Sequence, residues 1–240
     1  MASSALPPLT LGYVPGATPA KWARIWAQRH PEMPLRLLPV AAADAAEAVR
    51  AGTVDVAVLR PPTDASGLAV IPLYAETTVA VVGTDHVFGA AEQIAAADLD
   101  DEPTLRPLDD VVGWADAPGN PIDHRPETTK DAIELVAAGL GVLVVPQSLA
   151  RLHHRKDLIY RPIVDAPTCP VVLAFPDGSP TGPVEEFIGI VRGRTPGSSR
   201  GQATVKPKRT AREKTLAKQA ARAASGKVAR TPRRAQRGRR

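Results

Sequence analysis

Hydroxyl residues placed just before apolar helical runs are the groups in this sequence best suited to chemistry, and the chemistry they suit is holding a small anion. Thr128 and Thr129 precede Ile133, Leu135, Val136 and Ala137, an apolar face at helical spacing, with Asp131 adding charge to the first turn. Thr18 likewise precedes Pro19, which suits a first helical position, and then Trp22, Ile25 and Trp26. A helix start offers unpaired backbone N–H groups beside the hydroxyl. Each position is therefore either an ordinary cap or part of an anion site.

Catalytic constellations do not emerge. His153 and His154 are adjacent, so on a helix they point about 100° apart and share no metal-binding face. Asp123 with His124, and Asp109 with Asp110, have no partner at a useful spacing. Cys169 stands beside Pro170 at the edge of an apolar strand, the setting of a buried structural thiol. There is no GxSxG, P-loop or GxGxxG, and the glycines of ELVAAGLGVLVVP precede a strand rather than a helix. The expectation is a protein that is not an enzyme and carries no cofactor or metal.

The elements that must position these residues follow from periodicity. Leu9 to Val14 predicts a strand, Pro19 to Arg29 a helix, Leu35 to Val40 a strand, Asp44 to Ala51 a helix stopped by Gly52, and Asp55 to Leu59 a buried strand. This β-α-β-α-β order implies a parallel sheet with right-handed crossovers. Two strands follow, Leu68 to Tyr74 and Thr77 to Val82, then a helical turn near Ile94 to Leu99. Between Thr104 and Pro126, Pro, Gly and Asp leave only weak strand signals near Leu105 and Val111. A helix from Thr128 ends at Gly139, and Val142 to Val145 is a strand buried on both faces. A helix from Gln147 to Lys156, a strand from Val171 to Phe175 and a helix starting near Pro183 complete the pattern.

Charge divides the 240 residues into two parts. Residues 193–240 hold 16 Lys or Arg against Glu213 alone, a net of +15, leaving 14 bases and 24 acids, a net of −10, in residues 1–192. The last 48 residues have no aromatic side chain, so disorder is expected over 194–240, as over 1–8. Thr210 and Glu213 form a capping box that predicts a helix on binding. Lys206, Lys208, Arg209, Arg212, Lys214, Lys218, Arg222, Arg233, Arg234, Arg237, Arg239 and Arg240 are the expected contacts to DNA or RNA, without base preference and steeply salt-dependent. The other reading of this segment is a solubilising tail. One cysteine, no secretory signal and no apolar run of roughly 18 residues point to a reducing compartment, the cytoplasm, and to no membrane partner.

The segments LTLGYVPGATPAKWARIWAQRHPEMPLRLLP, DAAEAVRAGTVDVAVLRPP, GLAVIPLYAETTVAVVGTDH, ADLDDEPTLRP and, above all, ETTKDAIELVAAGLGVLVVPQSLAR resemble the effector-binding domain of LysR-type transcriptional regulators over about residues 9–193. The resemblance implies an α/β, periplasmic-binding-protein-like (type 2) fold: two Rossmann-like lobes joined by two crossover strands, with a ligand cleft between them. On that pattern lobe I is 9–82 and 170–193, and lobe II is 83–169. The stretch from Leu105 to Pro126 is short and irregular for lobe II. With the first strand at Leu9, the expectation is a domain without the family's winged helix-turn-helix.

Carried over position by position, the resemblance implies ligand contacts at Pro15, Gly16, Ala17 and Thr18, at Arg60 and Pro61, at Thr77 and Thr78, and at Thr128 and Thr129. Arg60 would offer a charged fork to a carboxylate, so the implied effector is a small organic anion. The expected assembly is a homodimer through the effector domain. The expected role is indirect regulation of transcription by ligand-dependent lobe closure, with the basic tail as a separate device. The alternative is a nucleoid-associated or RNA-contacting protein that uses the domain as a dimeric scaffold. A two-lobed enzyme such as a deaminase or dehydratase ranks third, with no motif in its favour.

Overall fold

The apolar periodicity of the first 60 residues resolves into one half of a two-sheet structure. The computed structural model describes residues 7–61, 64–178, 180 and 182–194. Strands β1 (Leu9–Tyr13), β2 (Leu35–Pro39) and β3 (Val56–Leu59) alternate with helices α1 (Ala20–Arg29) and α2 (Ala45–Arg50). β1 pairs in parallel with both β2 and β3, as the crossovers demand. β4 (Leu68–Glu76) and β10 (Cys169–Pro176) complete this sheet in the order β2-β1-β3-β10-β4, with β10 antiparallel to both neighbours. Helix α5 (Gly182–Val191) packs beside α1, where Trp26 and Phe187 meet with ring centroids 5.9 Å apart. Trp26 satisfies its indole N–H on the Met33 carbonyl at 2.8 Å, which allows so large a ring to be fully buried.

The second sheet runs β7-β6-β8-β5-β9, built from β5 (Thr78–Gly83), β6 (Pro103–Leu105), β7 (Asn120–Pro121), β8 (Val142–Pro146) and β9 (Leu158–Pro162). One face carries α3 (Thr129–Ala137) and α4 (Gln147–Leu152), burying Val79 and Val81 against Ile133, Val136 and Leu149. The other buries Ala80 and Val82 against Phe88, Ile94 and Leu99. β8 is central, parallel to β6 and antiparallel to β5, so its unbroken apolar run is covered on both sides. The chain passes between the sheets twice: at Thr77, between β4 and β5, and at 163–168, between β9 and β10.

Four expectations change. The strand beginning at Thr78 was assigned to lobe I, which was to run to residue 82; β5 instead sits between β8 and β9, so the first crossing lies at Thr77. Its alternating residues are buried on two faces, a demand that only the second sheet's helices and turns meet. Val111 lies in no strand, whereas Leu105 ends β6. The helix expected to reach Lys156 stops at Leu152, because Leu158 must return to pair with Gly83 and Arg155 pins the turn through Asp157 and Glu134. Thr18 does not cap α1: Pro19 holds the cap position and no side chain bonds there. The basic residues from Lys206 to Arg240 and the capping box at Thr210 lie outside the described residues.

Candidate functional site

The carboxyl ends of parallel strands are where an open α/β sheet leaves a crevice, and two segments leave β1 and β3 at that end. After β1 the chain turns through Pro15, Gly16 and Ala17; after β3 comes Arg60. Val14 N–H donates to the Val58 carbonyl at 3.1 Å, which fixes the two exits side by side. The Arg60 guanidinium then crosses this end of the sheet. Its Nη1 donates to the Pro15 carbonyl at 3.3 Å, and Nη2 donates to Glu76 Oε2 at 2.9 Å and to Ser148 Oγ at 3.5 Å. Glu76 closes β4 and Ser148 lies in the first turn of α4, so one side chain touches both sheets' elements and the crossing between them.

Both charges are removed from water: the Arg60 side chain is 10% exposed and that of Glu76 is 8%. Arg60 Nε is buried and donates to no acceptor among the described residues. Such a group costs free energy unless something completes it. Gly16 approaches the second sheet closely, at φ +86°, where a Cβ would stand 2.4 Å from Ser148 Oγ. Behind the ion pair, Cys169 lies opposite Glu76 in the β4–β10 register. Thr78 Oγ1 donates to the Pro167 carbonyl and sits 3.5 Å from Cys169 Sγ. Burial pushes the Cys169 thiol up, against opposing pulls from the Thr78 hydroxyl and Arg60.

The residues singled out from the sequence therefore divide. Pro15, Gly16 and Arg60 come together, Thr78 lies behind them, and Thr77 joins through its carbonyl, which accepts from Gln147 N–H at 2.9 Å. Ala17 is buried in its turn, while Thr18, Pro61 and the Thr77 side chain are exposed. Thr128 is the α3 cap, accepting from Asp131 N–H at 3.1 Å and donating to Asp131 Oδ2 at 2.6 Å. Thr129 is buried and donates to Asp109 Oδ1 at 2.9 Å. Among the described residues no hydrogen bond links Thr128 or Thr129 to the Arg60 group.

Glu76 and Ser148 escaped the sequence reading. Glu76 had a signal, being the lone acid closing the apolar run from Leu68; nothing local marked Ser148. A separate recess of about 360 Å³ lies on the second sheet, floored by Val81, Ile133 and Ala150 and rimmed by His153, Arg155 and Tyr160. It shares no residue with the Arg60 group, and Arg155 there is already paired with Asp157 and Glu134. We give more weight to the Arg60 crevice, because its charges are buried and bridge both sheets. No group of three or more His, Cys, Asp or Glu able to hold a metal is found among the described residues.

The profile of the LysR substrate binding domain matches residues 8–196. The Hca operon transcriptional activator HcaR of Escherichia coli K12 is 27% identical over 202 residues, covering 78% of this chain and 67% of that protein. A probable hydrogen peroxide-inducible genes activator of Mycobacterium avium is 27% identical over 153 residues, 58% of this chain and 49% of that protein. The chain thus spans about half to two-thirds of these relatives. Among solved structures, the BenM effector binding domain with its effector benzoate superposes with a TM-score of 0.65 at 20% identity, covering 82% of this chain and 98% of that one. The oxidized form of OxyR gives 0.65 at 20% identity, over 78% and 93%.

Proposed function

This chain belongs to the LysR substrate-binding-domain family, and from that premise we propose that it is the effector-sensing part of a transcriptional regulation system, binding a small organic anion between its two sheets. The observation carrying this reading is Arg60: a guanidinium nine-tenths buried, set where both sheets and their crossing meet, with one N–H unfilled. A planar carboxylate is the complement of that fork. Pro15, Gly16 and Thr18, with Pro61 and Thr77, would form the near wall, with Ala17 and Thr78 supporting it from behind. The α3 start at Thr128 and Thr129 forms the far wall, offering backbone N–H groups rather than its consumed hydroxyls.

Ligand binding would draw the sheets together and alter pairing of the domain with itself or with a complete regulator, so regulation is indirect. Isothermal titration against a panel of metabolite carboxylates is the direct trial. Binding by at least one, weakened about tenfold or more by Arg60→Gln, supports the reading; equal binding by wild type and Arg60→Gln removes Arg60 from it.

A second reading rests on charge alone: +15 in residues 193–240 suits a polyanion arm, with the domain as a dimeric scaffold in a nucleoid-associated or RNA-contacting protein. Gel retardation at two salt concentrations, with and without residues 195–240, separates the two. The scaffold reading requires all retention to reside in that segment and to collapse at high salt; effector binding that survives the deletion belongs to the first reading.

A further inference from the structure

Arg60 and Glu76 are paired in a one-sided way. The flat edge formed by Nε and Nη2 is the edge that receives a carboxylate with two parallel bonds. Here Glu76 Oε2 takes only Nη2, at 2.9 Å, and Nε is left buried with no acceptor among the described residues. The remaining contacts, to Pro15 O at 3.3 Å and Ser148 Oγ at 3.5 Å, are long. A buried ion pair contributes little to stability unless its geometry satisfies both partners, since desolvation offsets the attraction. The same fork with a freely oriented carboxylate could use both nitrogens.

The geometry points to Glu76 as a tethered stand-in for the effector's anionic group: it occupies the Arg60 edge in this arrangement, and an organic carboxylate enters by displacing it. The inference rests on the cleft reading above and adds to it a specificity-determining residue and a class requirement. A planar acid, able to satisfy Nε and Nη2 together, wins the exchange; a neutral isostere gains nothing from it. Glu76 is also the last residue of β4, one position before the crossing at Thr77, and lies opposite Cys169, which opens β10 after the other crossing. Its displacement therefore acts where the two sheets are joined.

The test uses the full chain and three probes: benzoate, acetate, and benzamide as the neutral match for benzoate. Titration calorimetry of wild type and Glu76→Gln should show benzoate and acetate binding tightened by about tenfold or more in the variant, with benzamide unchanged. Glu76→Asp, which withdraws the carboxylate by one methylene, gives a smaller gain of the same sign and serves if Glu76→Gln fails to fold. Carboxylate binding that both variants leave unchanged or weaken overturns the stand-in while leaving the effector cleft intact. No carboxylate binding by either variant likewise overturns it. A gain that persists in the Arg60→Gln/Glu76→Gln double variant places the anions elsewhere and overturns the cleft reading with it.

Discussion

The starts of the two helix-bearing walls spend their polar groups in opposite ways. At α3, Thr128 both accepts from and donates to Asp131, and Thr129 is buried with its hydroxyl on Asp109, so both hydroxyls have partners within the same half of the molecule. Around Arg60, partners come from both halves of the molecule, two contacts are long, and one buried N–H has no acceptor among the described residues. A self-satisfied cap holds its own helix. A buried, partly satisfied cation in contact with both halves keeps hydrogen-bonding capacity that its own neighbours do not use. Polar groups thus carry different meanings according to whether their own half of the molecule satisfies them.

Removing one partner of the buried pair should have the largest effect on stability. Arg60→Ala leaves Glu76 buried without its counter-charge, and chemical denaturation should register a loss of about 3 kcal/mol. Arg60→Met with Glu76→Leu should restore most of that loss. A cost for Arg60→Ala near zero would erase the contrast with α3.

Next comes Gly16→Ala, which must strain a positive φ and drive a Cβ into Ser148; about 2 kcal/mol is expected, part of it recovered by adding Ser148→Ala. Gly52→Ala is the control. It has φ +68° and open space around it, so only the backbone cost of about 1 kcal/mol applies. Equal costs at the two glycines would mean that the Gly16 approach to the second sheet carries no energetic weight.

Thr128→Ala should lose about 1 kcal/mol as a missing cap, with Thr128→Ser recovering it. A further loss of effector affinity in Thr128→Ala, absent from Thr128→Ser, would move that hydroxyl from the cap to the ligand and sharpen the comparison.

The smallest effect concerns His153, beside the α3 start. Burial holds its imidazole below the ordinary 6.5, helped by Lys130 and opposed by Asp109. The unfolded chain then binds this proton more readily than the native one. Its contribution is intact above about pH 6.5 and is lost as pH falls through the lower native value. Thermal melts of wild type should weaken slightly more than those of His153→Gln over that interval.

Much of the first sheet was legible because its order is local. Leu9, Leu11, Val56 and Val58 alternate or run as buried strands should, Trp22, Ile25 and Trp26 keep helical spacing, and Gly52 falls just past α2. The same holds for Val142–Pro146 and for Val184, Phe187 and Ile188 of α5. The stretch from Leu105 to Pro126 was not legible, since its short strands exist only through pairing with β8 and with each other. Of the site, Arg60 and the Pro15–Gly16 turn were within reach through family resemblance. Glu76 showed only as a lone acid closing an apolar run, and its pairing was out of reach because it stands sixteen positions and a strand away from the guanidinium it meets.

By itself the sequence determined most of the helices and longer strands, the split between an acidic domain and a basic segment, and the identity of the one arginine closing the third strand. These depend on spacing and composition, which are properties of neighbours in the chain. Only the tertiary structure decided that β5 joins the second sheet, that Thr129 turns its hydroxyl to Asp109, and that Glu76 pairs with Arg60. Each of those outcomes is a choice among distant partners, settled by which arrangement buries both faces of a strand and leaves the fewest buried charges alone.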